Sequence, residues 1–217
     1  MSNQLIADFL YICAGVAMTL KLLLGSILVG LSLGVLFAIA RYRNICRGVI
    51  KGIVSVIRGT PSILQLSIVY FVIPQVYSCK LDVITTGIIA FGINSSAYVS
   101  EILRAGIESL PKGQFEAAYS LGIPPFYMWK DIILPQVAAN VFPAIVNETV
   151  TLLKETALVA TIGGADIMRR SQIIAASRYE YLTPLCVAGL VYYLLVLVLE
   201  FAGREIEKRQ RPYAKNP

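Results

Sequence analysis

Gly113 to Gln136 reads GQFEAAYSLGIPPFYMWKDIILPQ, too polar to sit in a bilayer, with long apolar segments on both sides. The chain is therefore expected to leave a membrane before this stretch and to return after it. Glu116, Ala117, Ala118 and Leu121 fall on a short helical run. Gly122 stops the run, because glycine tolerates the left-handed conformation in which helices end. Pro124 and Pro125 suit the first turn of a new helix, where a missing N–H costs nothing. The expectation is a short amphipathic helix across one membrane face, followed by a re-entering segment.

The composition agrees with a membrane setting. Of 217 residues, 57% are hydrophobic and only 15% are charged, and the mean hydropathy is +0.71. Those values exclude a soluble domain and point to a single membrane domain over 1–217. The net charge of +6 is not a nucleic-acid signature, because the cations gather at the ends of apolar runs without interleaved aromatics. Cys13, Cys46, Cys79 and Cys186 lack metal-ligand spacing and suggest neither a disulfide framework nor a zinc site. The first apolar run is longer than a signal-peptide core and has Asp8, not cations, before it, so it reads as a retained span.

A helix needs about 20 apolar residues to cross the hydrocarbon. Five segments qualify as spans: 11–40, 53–77, 83–107, 137–162 and 184–202. The first carries Gly15, Gly25, Gly30 and Gly34, small residues that let membrane helices pack closely. The fourth is the most polar, with Asn147, Glu148, Thr151, Lys154 and Glu155. Arg41, Arg43, Arg47 and Lys51 follow the first span with no acid among them, a cytoplasmic marker. Five spans then put the amino terminus outside and the basic carboxyl-terminal tail in the cytoplasm. Arg169, Arg170 and Arg178 would lie outside, against the rule.

Glu116-Ala117-Ala118, Gly122 and Ile133-Leu134-Pro135 resemble the EAA loop of binding-protein-dependent ABC importer permeases. Other segments are similar to polar amino-acid permeases in order and spacing. They are Gly15 to Thr19, Arg58-Gly59-Thr60-Pro61 with Leu64-Gln65-Leu66, Ala97-Tyr98 with Glu101, and Arg104-Ala105-Gly106-Ile107. Lys154-Glu155-Thr156-Ala157-Leu158 is close to the usual K-D-T-S-L, with Glu for Asp and Ala for Ser. The double proline after Gly122 departs from the family pattern. The resemblance covers residue 15 to about 208. It implies a type I importer permease of the MetI-like class: all-α, five transmembrane helices and a cytoplasmic coupling helix. It further implies a second permease subunit, identical or related, two cytoplasmic ABC ATPase subunits, an extracytoplasmic solute-binding protein and a bacterial inner membrane. ATP and Mg would be bound by the ATPase, and no cofactor by this chain. In the coupling helix, Ala117, Ala118 and Leu121 would enter the ATPase groove, with Glu116 at its rim and Gly122 closing the helix.

The ionisable residues inside spans need separate readings. Glu101 and Arg104 are three residues apart and are expected to pair. Glu148 and Glu155 are seven apart, hence on one helix face, and ionisable groups in a span face a bundle interior or a watery cavity. An internal ion pair, with Lys154 or an arginine of another span, is one reading. The other is a substrate role, favoured for Glu148, with Asn147 and Thr151 as further contacts and Glu155 in a more structural part. A carboxylate at Glu148 suits an ammonium or guanidinium group, hence arginine, lysine or histidine. The same importer with a glutamine- or glutamate-type substrate is the alternative. A further alternative is an ion-gradient-driven secondary carrier using Glu148 or Glu155, though no inverted repeat is evident. An enzyme is not indicated: there is no phosphate loop, no histidine and no hydroxyl–base arrangement.

Overall fold

A computed structural model describes residues 2–214, with side chains described over 4–208; the last basic residues of the tail lie outside the described side chains. Every described element is helical. α1 (Ser2–Cys13) and α2 (Val16–Tyr42) follow one another through a turn at Ala14 and Gly15, and together they form one segment, Gln4–Tyr42, that contains the span expected over 11–40 and begins earlier. At 1.5 Å per residue the 27 residues of α2 reach about 40 Å, more than the roughly 30 Å hydrocarbon core.

α3 (Arg47–Gly59) turns by 102° into the segment Ser62–Tyr77. The turn is local chemistry. Thr60 precedes Pro61 and is extended (φ −116°, ψ 145°), because a following proline disfavours the helical region. Gln65 then reaches back, its amide donating to the Ile57 carbonyl and the Thr60 hydroxyl, each at 2.8 Å. Ser62–Tyr77 comprises α4 (Ser62–Ser67), a π turn (Ile68–Val72) and α5 (Ile73–Tyr77). Pro74 near the start of α5 lacks the N–H that would bond the preceding turn, and the helix widens there.

α6 (Val83–Glu108) is capped by Asp82, whose carboxylate accepts from the Ile84 and Thr85 N–H groups at 3.1 and 3.2 Å. It packs closely on α2. A β-carbon at Gly30 would lie 2.9 Å from the Ser95 Cβ, and one at Gly34 would lie 2.6 Å from the Val99 Cγ1. Glycine is required at that seam.

α7 (Lys112–Ser120), the single turn α8 (Pro125–Tyr127) and a π turn (Met128–Ile133) lead into α9 (Leu134–Glu155). Pro135 opens α9 as Pro74 opens α5, again beside a π turn. The expected fourth span over 137–162 is not one regular helix: it tightens to a 3-10 helix over Thr156–Ile162 and stops at Gly163, φ +86°. α10 (Ile167–Arg178) fills much of the interval between the expected fourth and fifth spans, and α11 (Leu182–Ala214) runs on well past residue 202.

Three of the described helical segments are long and apolar enough to cross a membrane: Gln4–Tyr42, Val83–Glu108 and Leu182–Lys208. The bent pair Arg47–Gly59 and Ser62–Tyr77 makes a fourth if it is one span. α9 carries Asn140, Asn147, Glu148, Lys154 and Glu155 and is not among them.

The interior has three apolar clusters. The largest joins α2, α4, α6 and α9 through Leu22, Leu66, Phe91, Leu152 and Leu153. A second joins the end of α6, α7 and the start of α9. A third pins α1 to α10 and α11 through Ile12, Ile167, Ile174 and Val191. Leu24, Leu28, Leu36, Phe71, Leu190 and Val198 remain exposed, an apolar exterior that suits lipid or a packed partner and not water.

Candidate translocation site and coupling surface

The most polar turn of α6, Asn94-Ser95-Ser96, faces the acidic side of α9. Glu155 accepts from the Ser62 hydroxyl at 3.0 Å and from the Asn94 amide at 3.1 Å. The same amide donates to the Ser62 hydroxyl at 3.1 Å, so three helical segments meet in one hydrogen-bonded triangle. Two turns away, Glu148 accepts from the Ser95 hydroxyl at 2.8 Å. Both carboxylates are half-buried. Neither has an ion-pair partner among the described residues, and Lys154 points away, exposed. The internal ion pair that the sequence allowed is therefore not what holds them. Hydroxyl and amide donors hold them instead.

Asn147 and Thr151 do not join this group. They lie on the neighbouring face of α9, exposed, with the Thr151 hydroxyl donating to the Asn147 carbonyl at 3.0 Å. Ser62, Asn94 and Ser95 are the polar contacts that sequence reasoning did not assign. Their signal was the run of polar residues in an otherwise apolar span, but their partner on α9 is 53 to 93 residues away in the chain.

A second polar centre lies further along α6, toward its carboxyl-terminal end. Glu101 accepts from Arg104 at 2.9 and 3.0 Å, as the spacing predicts, and also from Arg41 at the end of α2. Arg58 stands 3.7 Å away with its guanidinium over the Tyr98 ring. One carboxylate thus gathers α2, α3 and α6.

α7 is fixed to the body of the chain. Ala118 is 2% exposed and packs with Leu110, Met128 and Ile133. Gln114 and Gln136 exchange hydrogen bonds at 2.9 and 2.8 Å, tying α7 to the start of α9. Trp129 stacks edge-on between Tyr42 and Phe115, at 4.7 and 6.2 Å between ring centres. Gly122 takes φ +67°, and the chain closes with bonds from Gly122 N–H to Tyr119 O and from Ile123 N–H to Ala118 O, both 3.0 Å. That pair is the left-handed glycine stop expected of the sequence. One expectation is corrected: Ala118 faces inward and cannot enter a partner's groove. Glu116, Ala117, Tyr119 and Leu121 form the outer surface, with Leu121 77% exposed.

Residues 30–212 match the family described as binding-protein-dependent transport system inner membrane component. The chain belongs to that family. It is 45% identical over 202 residues to a putative glutamine transport system permease protein of Rickettsia typhi, covering 92% of this chain and 93% of the relative. It is 46% identical over 201 residues to an arginine transport system permease protein of Bacillus subtilis, covering 92% of each. A solved amino acid ABC transporter with histidines superposes with a TM-score of 0.87 at 34% identity, over 95% of this chain and 97% of that one. The MetNI methionine ABC transporter, at 19% identity and a TM-score of 0.75 over 97% of this chain and 99% of that one, shares the fold. The all-α integral membrane, MetI-like architecture is thus shown for this chain.

Proposed function

We propose that the chain is the permease subunit of an ATP-driven importer for a polar amino acid, and that Glu148 and Glu155 give its path a preference for cationic side chains. The observation that carries this is the pair of half-buried carboxylates on α9, held by hydroxyl and amide donors and without a cation of their own among the described residues. Such a pair inside a span is costly unless it meets water or a cation. The space between Glu148 and α6 is about 10 Å³, too small for an amino acid. Substrate would approach from the exposed face that carries Asn147 and Thr151, in a path completed by a second permease subunit. Relatives named for glutamine and for arginine support an amino acid as the cargo. A glutamine-type substrate is the second reading, supported by the relative named for glutamine transport.

The chain has no chemistry to perform; ATP and Mg belong to two cytoplasmic ABC ATPase subunits, and an extracytoplasmic solute-binding protein delivers the cargo. α7 is the coupling helix, presenting Glu116, Ala117, Tyr119 and Leu121, while Ala118 anchors it. Because α7 is locked to α9 and to the end of α2, displacement of the helix by the ATPase would move those elements as a rigid body. The orientation follows from Arg41 to Lys51 and the tail in the cytoplasm, with five spans, α9 completing the fifth, in the inner membrane. The test is stimulated ATPase activity of the chain reconstituted with its ATPase and binding protein, scanned across amino acids. Stimulation by arginine, lysine or histidine is expected. Transport by the chain alone under an ion gradient would replace this reading with that of a secondary carrier.

A further inference from the structure

The cation-rich end of α2 continues into an apolar groove, and the two together have the form of an amphiphile. A cleft of about 630 Å³ between α3 and α6 is lined by Arg41, Arg47, Lys51, Arg58 and Arg104. Only two carboxylates, Glu101 and Glu108, face the same space, leaving three positive charges in excess. Glu101 and Glu108 are taken up by Arg41, Arg58 and Arg104. Arg47 and Lys51, one turn apart on α3, have no ion-pair partner among the described residues; Arg47 donates only to the Asn44 amide oxygen at 3.3 Å.

On the other side of the α2 terminus lies a groove of about 460 Å³ lined by Val35, Ile39, Leu103, Leu134 and Val137, with Trp129 and Arg43 also in its wall. A third hollow of about 290 Å³ bridges the two. It shares Ala38, Tyr42 and Ile107 with the apolar groove and Arg41, Arg47, Arg104 and Glu108 with the cationic cleft. Tyr42 and Trp129 stack where the lining changes from apolar to charged, the place aromatic side chains take at a membrane interface. α3 itself has the character of an interfacial helix, with Val49, Ile53 and Val56 exposed on one side and its cations on another.

We infer that this tract is a binding site for one anionic phospholipid, its phosphate held by Arg47 and Lys51 and its acyl chain lying along Ile39 and Leu134. A soluble phosphate would use the cleft and ignore the groove; a neutral lipid would use the groove and gain nothing from the cations. The site requires only that the chain lies in a membrane, so it stands whether or not the transport reading does. Basic pockets between helices at a membrane face bind anionic headgroups, each cation contributing about 1 kcal/mol, so two cations give about thirtyfold.

Native mass spectrometry of the chain, purified from membranes with its co-purifying subunits, tests the inference directly. The probes are phosphatidylglycerol, phosphatidylcholine and inorganic phosphate. Wild type should retain phosphatidylglycerol over phosphatidylcholine by about thirtyfold, a result that needs no variant. The double variant Arg47→Gln/Lys51→Gln should lose that preference, Arg47→Lys should keep it, and Ile39→Gln should weaken retention of the lipid. Equal retention of the two lipids by wild type, or an unaltered preference in the double variant, overturns the site. Displacement of phosphatidylglycerol by millimolar phosphate, with Ile39→Gln behaving as wild type, assigns the cleft to a soluble anion and overturns the lipid.

Discussion

Replacing Glu101 with Gln removes the carboxylate on which three guanidinium groups converge. Arg104 keeps Glu108, and Arg58 is 42% exposed, with water and the Tyr98 ring available to it. Arg41 bears the loss. Its side chain is 11% exposed and that of Glu101 is 18% exposed, so solvent replaces little of what is removed. A hydrogen bond to a charged group contributes about 1.5–3 kcal/mol, and the glutamine oxygen still accepts one bond, which puts the destabilisation at about 2–3 kcal/mol. In a chain of this size 1 kcal/mol moves the melting temperature by about 2–4 °C, so Glu101→Gln should melt about 4–12 °C lower. The assay is thermal denaturation of the purified protein in detergent, followed by fluorescence of Trp129, which packs on Tyr42 at the end of α2. Arg41→Gln should cost a similar amount, and the double variant should be no worse than either single one. Melting of Glu101→Gln within about 2 °C of wild type, or strictly additive losses, would refute the reasoning.

Three further outcomes follow from the local geometry. Gly122→Ala places a β-carbon in the left-handed region at a strain of about 1–2 kcal/mol; it should lower binding-protein-stimulated ATPase activity, with Gly122→Asn recovering most of it. Gln136→Ala leaves the Gln114 amide without its partner, and should reduce stimulated ATPase activity while the order of preference among amino acids stays as in wild type. The Thr85 hydroxyl, with the Thr85 and Ile84 N–H groups, holds the Asp82 carboxyl below the usual carboxylate range. Because the folded pKa is the lower one, the cap's contribution is complete above the unfolded value of about 3.9 and is lost as pH falls through the folded value. Asp82→Asn should therefore flatten the acid limb of the melting temperature against pH; an unaltered limb would remove Asp82 from the account.

Much of the local architecture is legible in the sequence because its causes are local. The stop at Gly122 and the pairing of Glu101 with Arg104 each depend on residues within a few positions of one another, whereas the span expected over 53–77 is broken by the 102° turn at Thr60-Pro61. The apolar runs mark where helices cross, since hydrocarbon length sets a minimum that composition reveals. What depends on tertiary packing is not legible. Ala117 and Ala118 are identical in chemistry and one position apart, and only the neighbours Leu110 and Met128 make the second face inward. Glu148 and Glu155 stand out in the sequence, but Ser62, Asn94 and Ser95 are separated from them by whole helices. The tightening after Glu155 into a 3-10 helix leaves no mark in the hydrophobic pattern.

The central claim is that the carboxylate pair on α9 selects for charge in the transported amino acid. Its most direct test is uptake of radiolabelled arginine and glutamine by the reconstituted complex, comparing wild type with Glu148→Gln at equal ATPase content. Removing a charge-assisted contact of about 1.5–3 kcal/mol should depress arginine uptake at limiting substrate by roughly ten- to a hundredfold and leave glutamine uptake within about twofold. Equal losses for both substrates, or none for either, would contradict it.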